Sequence, residues 1–474
     1  MQESFHEKIL ILLSYVMIII IAIVIYVFFI DKKIVDNYNN EFSQSKKNQE
    51  DKLKNRTILF QQSNENSPAK HILIHLPEKE IFISTLHPAA SLYEDVTDYN
   101  KVKECFDNLK KILKEKNIEL ITVRSALKLN KTALKRLAFK SLKYEISDDI
   151  NFNKNSKEYK IFLNYTKDDY KQEIINKLSE DQLVDVVLNN PKYILAPTNL
   201  NTFIEPKLIS FNPLGNLIFC RDQQITTKKG VVIGRTRSSQ RAGEHIIMKQ
   251  VFENLNSNIL GILSKEYDEN AFLEGGDFFV VKNDFSLLGV GLRTSMKGAA
   301  YLMEKDFLGT RYMAIIYDDE DMDQQRMHLD TYFNILSDDF AIVLDFNEVQ
   351  KYYPNKKIGR KVYLFDNEAK SSILSNNKNI PKEIGKYKLI NVYNEFYAFL
   401  EEKLKYKLIK VTHQQQIDYM INFLNIGNNE IISVNKDLKL LEQKTNINII
   451  YLEFNPILNM YGAMHCITQV SRVD

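Results

Sequence analysis

One local pattern recurs along this 474-residue chain: a short apolar strand, a glycine, an Arg-Thr turn with hydroxyl residues, and then a helix. It occurs at Val231–Leu255 and again at Leu287–Phe307. The hydroxyl residues can cap the helices that follow. Further strand–helix–strand units are predicted at 71–123 and 431–452. Recurrence of one such unit predicts a pseudo-symmetric α/β array, whose copies must pack together to bury their apolar faces.

The segment Ile9–Ile30 is a 22-residue run without a charged side chain. It is long enough to cross a bilayer core of about 30 Å at about 1.5 Å per residue. A cleavable signal peptide has a shorter apolar stretch and then small residues, which are missing here. We therefore expect a single transmembrane anchor. Lysines after the span outnumber those before it, so we predict a single-pass membrane protein with its C-terminal domain in the cytoplasm.

The remaining chain divides by composition. Residues 31–67 are polar and have too little apolar surface to offset the entropy of ordering, so we expect a flexible stalk. The folded domain is expected over residues 68–474. Within it, residues 125–197 are rich in Lys and Leu and are predicted to form an all-helical insertion.

Charge and cysteine content exclude some classes of protein. The 63 basic and 61 acidic residues nearly cancel to a net charge of +2, so no basic field favours nucleic acid as a partner. Three cysteines, Cys105, Cys220 and Cys466, lie far apart, which favours neither a disulfide framework nor a metal knuckle.

Polar residues cluster where the repeated units turn. The clusters are Asn216–Asp222 with Arg241 and Glu244 behind it, Glu274–Asp277 with Arg293 in the next turn, Met327–Thr331, and Tyr461–Cys466. Strand alternation would direct His328 and Asp330 to the same face. Each cluster alone favours a structural explanation, because a Gly-Gly turn is usually only a turn and a lone cysteine is usually a small buried hydrophobe. Together they provide a thiol, an imidazole, carboxylates and arginines, the set that nucleophilic chemistry on a small charged substrate requires.

The order and spacing of these motifs resemble the arginine deiminase family, within the guanidino-group-modifying superfamily. The resemblance covers about residues 68–474, including the insertion, but not the apolar span or the stalk. It implies a five-bladed α/β propeller of strand–helix repeats. The complete expected fold is therefore this propeller with its all-helical insertion, preceded by a single transmembrane helix.

The resemblance also implies the catalytic residues. The Cys466 thiolate would attack the guanidinium carbon and form a covalent thiouronium intermediate, from which water releases citrulline after ammonia has left. His328 would protonate the leaving amine and then activate the water, with Glu274 orienting its ring. No metal and no organic cofactor is expected.

The substrate-binding residues follow from the same resemblance. A planar guanidinium needs carboxylates in bidentate geometry, and Asp222 and Asp330 would supply them. Arg241 and Arg293 would meet the α-carboxylate of L-arginine, and Asn216 would add a hydrogen bond. A homo-oligomer is left open.

One position departs from the family pattern. Tyr461 stands where bacterial members carry an arginine before the catalytic cysteine, and a phenol donates one hydrogen bond where a guanidinium offers five. Substrate choice is therefore open. The alternatives to an arginine deiminase are an amidinotransferase, a deiminase of another guanidino substrate, and a catalytically idle arginine-binding protein.

Overall fold

The computed structural model of the protein describes residues 53–54, 56–148 and 152–473. The chain divides into two compact units, Met1–Asn55 and Arg56–Asp474. All the helices and strands named below lie in the second unit.

Short strands and short helices alternate along this unit. The strands are β1 His71–Ile74, β2 Glu119–Thr122, β3 Lys143–Ile146, β4 Lys192–Pro197, β5 Ile204–Ser210, β6 Gln224–Thr226, β7 Val231–Ile233, β8 Ile259–Ile262, β9 Phe278–Val281, β10 Phe285–Val290, β11 Tyr312–Tyr317, β12 Phe333–Ile335, β13 Phe340–Leu344, β14 Lys361–Asp366, β15 Glu383–Ile384, β16 Tyr387–Tyr393, β17 Lys407–Val411, β18 Leu424–Gly427, β19 Glu430–Ser433, β20 Asn448–Tyr451 and β21 Gln469–Ser471. The α-helices are α1 Lys79–Thr85, α2 Tyr99–Glu115, α3 Val123–Lys128, α4 Lys131–Ser141, α5 Lys157–Thr166, α6 Asp168–Lys177, α7 Glu180–Asn189, α8 Glu244–Asn254, α9 Met296–Glu304, α10 Phe346–Tyr352, α11 Phe396–Ala398, α12 His413–Ile417, α13 Glu442–Thr445 and α14 Asn455–Leu458.

The strands form several small sheets with one local design. The orders are β2-β1-β21, β6-β7-β8, β12-β13-β17, β18-β19-β20, β3-β4-β5 and the six-stranded β15-β16-β14-β11-β10-β9. In each sheet one strand pairs in parallel with one neighbour and antiparallel with the other, as β7 does with β8 and β6. Parallel neighbours need a crossover connection, which α8 and α9 provide in two of the sheets.

The two Arg-Thr turns differ in how their helices begin. Ser295 caps α9 by accepting a hydrogen bond from the backbone N–H of Gly298 at 3.1 Å, as its hydroxyl predicted. No side chain caps α8, because a 3₁₀ turn, Ser239–Arg241, comes before it. That turn brings Arg241 into the interior.

The predicted fold class needs correction to a mixed α/β fold with several small sheets. The insertion 125–197 is not all-helical, since β3 and β4 lie within it and pair with each other in parallel. Local composition favours helix there, but pairing between strands about fifty residues apart overrides it. The equal repeats of a five-bladed propeller also fail to account for β14, β15 and β16, which extend one sheet to six strands.

The membrane part of the prediction is corrected as well. Throughout 56–148 and 152–473, no helix combines the length and apolar character that crossing a bilayer requires. The predicted span Ile9–Ile30 lies outside the described residues. The transmembrane helix, the membrane as a partner and the single-pass localisation with a cytoplasmic domain therefore find no support, and we do not retain them.

Part of the predicted stalk is packed into the folded unit. Ile58, Phe60 and Gln62 are buried at alternate positions, as in an extended chain that contacts the domain with one face. Their segment is held by backbone hydrogen bonds, including Gln62 N–H to the Thr227 carbonyl at 3.0 Å and Glu65 N–H to the Val280 carbonyl at 2.8 Å. The average polarity of residues 31–67 conceals this alternation.

Candidate active site

Cys466 lies on an irregular segment just before β21, fully covered by protein. Its Sγ accepts a hydrogen bond from Asn422 Nδ2 at 3.1 Å, and its thiol points to Asp330 Oδ2 at 3.5 Å. Asn422 also accepts from the Cys466 backbone N–H at 3.3 Å, so one amide fixes both the main chain and the sulfur. No sequence motif identified Asn422.

The thiol is surrounded by negative charge. Burial raises the pKa of Cys466 well above its usual value, and the carboxylates of Asp330 and Asp222 raise it further. Hydrogen bonds at the sulfur act in the opposite direction but are outweighed. In this site Cys466 is therefore a neutral thiol until the charge beside it changes.

His328 and Glu274 form a buried pair. His328 Nε2 donates to Glu274 Oε2 at 2.9 Å. Burial alone would lower the pKa of His328, but the carboxylates of Asp222, Asp277 and Glu274 raise it to about 10. Burial likewise acts to raise the pKa of Glu274, yet its contacts with His328 and nearby arginines lower it to about 2. The imidazole is therefore protonated and the carboxylate ionised at neutral pH.

The glycines of the 274–277 motif are needed because the backbone passes close to other groups. A Cβ on Gly276 would lie 2.8 Å from His328 Nδ1, and one on Gly275 would lie 2.0 Å from the Arg221 carbonyl oxygen. Asp277 accepts hydrogen bonds from the backbone N–H groups of Leu329 at 3.0 Å and Thr294 at 3.2 Å. This carboxyl group thus joins the histidine turn to the turn that carries Arg293.

Three buried polar atoms beside the thiol have no hydrogen-bond partner within the described part of the chain. They are Asp222 Oδ1, Asp330 Oδ1 and His328 Nδ1. Asp222 Oδ1 and His328 Nδ1 lie 3.8 Å apart. Because an unpaired buried polar group costs about 1–3 kcal/mol, such atoms in one place indicate a binding site.

His328 and Asp330 reach the site by a different local structure from the predicted strand. His328 is the residue before a 3₁₀ turn, Leu329–Thr331, to which Asp330 belongs. The predicted strand at these two residues is wrong. That both side chains serve one site stays a prediction.

The two predicted carboxylate-binding arginines have different surroundings. Arg241 is buried and all three of its side-chain nitrogens are engaged: Nη1 donates to Asp222 Oδ2 at 2.7 Å, and Nε and Nη2 donate to Glu244. Arg293 Nη2 donates to Gln324 Oε1 at 3.0 Å, but its buried Nε has no partner among the described residues. Arg241 therefore contacts the predicted guanidinium-binding carboxylate directly.

Asn216 lies beside Arg241. Its backbone carbonyl accepts from Arg241 Nη2 at 3.2 Å, and its side-chain Nδ2 donates to the Ser91 carbonyl at 2.8 Å. Asn216 thus joins the loop around Ser91 to the arginine.

Behind Asp330 lies a buried network that the sequence did not predict. His465 Nδ1 donates to Asp330 Oδ2 at 2.8 Å, and His465 Nε2 lies 3.3 Å from Glu65 Oε1. The His465 ring stacks on Phe279 with 5.1 Å between centroids. Burial would raise the pKa of Glu65, but His465 and the neighbouring Arg472 lower it to about 2. His465 belonged to a recognised motif, whereas nothing local marked Glu65.

A cavity of about 40 Å³ is bordered by Asn422, Tyr419, Tyr461 and Glu94, among others. Since Asn422 bonds Cys466, this cavity lies directly beside the thiol. Tyr461, the departure from the family pattern, therefore lines a cavity next to the site, and its backbone φ is 63°.

The side chains that could hold a metal ion are Asp222, Glu274 and His328, whose candidate ligand atoms lie within 4.8 Å of one another. The same atoms suit an organic cation. The expectation of no metal and no cofactor stays a prediction.

These motifs lie within the range matched by a known protein family. The family model described as arginine deiminase matches residues 90–472. The chain belongs to the arginine deiminase family. The resemblance found from the motifs is thereby confirmed, and with it the broad class of reaction, hydrolysis of a guanidino group. The matched range begins at residue 90, so it does not include Glu65.

Members of the arginine deiminase family from bacteria are distant relatives. The chain is 23% identical to the arginine deiminase of Staphylococcus haemolyticus over 291 residues, which covers 59% of this chain and 67% of that protein. It is 24% identical to that of Borreliella burgdorferi over 328 residues, or 67% and 74%. Among solved structures it is similar to the product-bound N-terminal domain of ArgZ, a cyanobacterial arginine dihydrolase, with a TM-score of 0.48 and 14% identity over 85% of this chain and 97% of that one.

Proposed function

We propose that this protein is an arginine deiminase, which hydrolyses the guanidino group of L-arginine to citrulline and ammonia through a covalent intermediate on Cys466. The observation that carries this function is the group of three unpaired buried atoms, Asp222 Oδ1, Asp330 Oδ1 and His328 Nδ1, beside the thiol. Two of them are carboxylate oxygens, which suit a planar cation with several N–H donors.

Binding of the guanidinium would itself activate the nucleophile. The charges of Asp330 and Asp222 contribute to the raised pKa of Cys466. A cation placed between these carboxylates and the sulfur offsets their charge, so it lowers the pKa of the thiol. The reactive thiolate then forms only where the guanidinium carbon is present to receive it.

In the first half of the reaction the sulfur bonds to the guanidinium carbon and one C–N bond breaks. The leaving nitrogen receives one proton from His328 and one from the thiol, so it departs as ammonium and leaves a thiouronium with a neutral imidazole. His328 suits this role because its pKa of about 10 keeps it protonated before substrate reacts. Glu274 holds the ring through Nε2, which leaves Nδ1 to face the substrate.

In the second half the neutral imidazole of His328 takes a proton from water as the oxygen bonds to the thiouronium carbon. The C–S bond then breaks, and the remaining hydroxyl proton passes to the sulfur of Cys466. Citrulline is released, and the thiol and imidazolium are restored, so that protons and charge balance over the cycle.

The amino-acid end of the substrate is assigned to Arg293, Arg241 and Asn216. Arg293 has a buried Nε without a partner in the described chain, so it has a donor to offer a carboxylate. Arg241 is already bound by Asp222 and Glu244 and contributes mainly its position beside the site. Asn216 adds a hydrogen bond.

A second candidate function is hydrolysis of a guanidino compound whose carboxylate is absent or blocked. Tyr461, which lines the small cavity beside the thiol, offers one donor, and Glu94 in the same lining is acidic. Both features weaken the recognition of a free α-carboxylate there. Comparing the kcat/KM of arginine, argininamide and agmatine distinguishes the two functions, since an arginine deiminase prefers the first.

The decisive test is an assay of the full chain with arginine as the only substrate. Citrulline and ammonia should appear in equal amounts, and Cys466→Ser should abolish both. Product that requires added glycine or ornithine would identify an amidinotransferase. Arginine binding by calorimetry without any turnover would identify an idle binding protein and contradict the proposal.

A further inference from the structure

A second, larger cavity lies within the segment from α4 to β5. It has a volume of about 720 Å³ and is lined by residues of α5, α6 and α7 and of β3, β4 and β5. None of the active-site residues described above lines it. Ligand pockets in proteins have volumes of about 300–1,000 Å³, so this cavity has the size of a small-molecule site.

Four tyrosines in this wall form a continuous chain of ring contacts. Tyr193 and Tyr144 meet edge to face with 6.0 Å between centroids, Tyr144 lies 6.4 Å from Tyr170, and Tyr170 meets Tyr165 edge to face at 5.2 Å. The parallel register of β3 and β4 places Tyr144 directly beside Tyr193. The sheet therefore fixes two of the rings, and helices carry the other two.

Between these rings the described part of the wall is mostly apolar, with Asn201 and Thr202 as its other polar side chains. The described residues that line the cavity include no Lys, Arg, His, Asp or Glu. None of the four tyrosine hydroxyls is hydrogen-bonded to another described residue. Burial and the neighbouring phenols raise the pKa of Tyr144 to about 12, so its hydroxyl stays neutral. An anionic ligand would lose hydration here without gaining a cationic partner among the described residues, whereas a neutral ligand has no charge to desolvate.

We propose that this tyrosine cavity, lined by Tyr144, Tyr165, Tyr170 and Tyr193, binds a neutral small molecule that contains an aromatic ring and a hydrogen-bonding group at its edge. The edge-to-face tyrosines provide the ring contacts that aromatic ligands favour. The free hydroxyls donate to or accept from the edge group. The site is separate from the arginine site and does not depend on the proposed reaction.

N-Phenyl-1-naphthylamine, a neutral aromatic amine that becomes fluorescent in apolar surroundings, is a suitable probe. Titrated into the full chain, it should show saturable binding of one probe per chain. Ile174→Trp, which fills the cavity from α6, should weaken this binding about tenfold or more. Tyr352→Trp introduces the same side chain at a position 66% exposed and outside the cavity, and it should bind like the unmodified chain.

The protein contains no tryptophan, so a single new indole also reports where the probe lies. Tyr193→Trp should transfer excitation energy to the bound probe efficiently, and Tyr352→Trp should do so weakly. If Ile174→Trp does not fold, the comparison of energy transfer between these two variants still shows whether the probe binds in the tyrosine cavity. 2-Naphthol should displace the probe, whereas decanoate should not.

Three results would overturn the proposal. Equal probe binding by Ile174→Trp and the unmodified chain would place the probe elsewhere. Displacement by decanoate alone would indicate an acyl chain rather than an aromatic ligand. Probe binding that falls as the chain dimerises at higher concentration would show that a second copy covers the cavity.

Discussion

Replacing Glu65 by glutamine should destabilise the protein through the loss of one buried charge. Glu65 Oε1 accepts from His465 Nε2 at 3.3 Å and from Arg472 Nη2 at 3.4 Å. Gln62 donates to the other oxygen, and its own buried Oε1 has no partner among the described residues. A flipped Gln62 amide can therefore accept from the new amide, so Glu65→Gln keeps shape and hydrogen bonds while removing charge.

The size of the effect follows from the pKa of Glu65. Burial alone would raise this pKa, but His465, Arg472 and Arg221 lower it from 4.5 to about 2. An acid with a lower pKa in the folded state stabilises the protein fully above its unfolded pKa and loses this effect as pH falls through its folded pKa. The difference between a pKa of 4.5 and one of about 2, at about 1.4 kcal/mol for each pKa unit, amounts to about 3–4 kcal/mol.

Urea unfolding of the full chain measures this loss. At pH 7 Glu65→Gln should lower the free energy of unfolding by about 3–4 kcal/mol. The difference in stability between the variant and the unmodified chain should narrow as pH falls from 4.5 towards 2. Glu173→Gln, which removes a charge from an exposed ion pair with Lys177, is the matched control and should unfold like the unmodified chain. A gap that persists unchanged at low pH would show that packing, not charge, is lost.

Three further experiments, one labelling reaction and two substitutions, test the candidate active site. A haloacetamidine should label Cys466 alone among the three cysteines and abolish turnover; labelling of another cysteine would contradict its assignment as nucleophile. Arg293→Ala should lower kcat/KM for arginine by a factor of about 10–150, the equivalent of about 1.5–3 kcal/mol, and affect argininamide much less; equal losses would make the arginine structural. Gly276→Ala would place a Cβ 2.8 Å from His328 Nδ1 and should lower kcat by about 100-fold, while Gly359→Ala, whose Cβ meets nothing within 4 Å, should not. Normal kcat in both variants would show that the position of the His328 ring is not critical.

Most residues of the candidate site lie in short motifs that the sequence shows, and these are the ones that could be proposed before the structure. Glu274 and His328 are 54 positions apart in the chain and 2.9 Å apart in space, but each is flanked by residues that mark it, a Gly-Gly pair in one case and Asp330 in the other. The predicted strand at His328 is wrong, because His328 precedes a 3₁₀ turn to which Asp330 belongs, and a five-residue motif is too short for its period to distinguish a strand from a turn.

Glu65 and Asn422 could not be predicted in this way. Glu65 meets His465 across 400 positions, and Asn422 meets Cys466 across 44. Each is a single polar residue in an ordinary local sequence. Their positions depend on the packing of distant segments. A buried acid or amide is stable only where residues from elsewhere in the chain provide its hydrogen-bond partners.

The sequence of strand β3 within the insertion contains a strand pattern, but the Lys- and Leu-rich composition around it favours helix. Lys143–Ile146 alternates polar and apolar residues, which is the two-residue period of a strand, but four residues are too few to outweigh the helical composition around them. Only pairing with β4 stabilises the strand, and that pairing sets Tyr144 beside Tyr193. A purely helical insertion would pack its apolar stripes against one another. Because a sheet lies there instead, it sets Tyr144 and Tyr193 opposite the tyrosines of α5 and α6, and the tyrosine cavity is lined by residues of both the sheet and the helices.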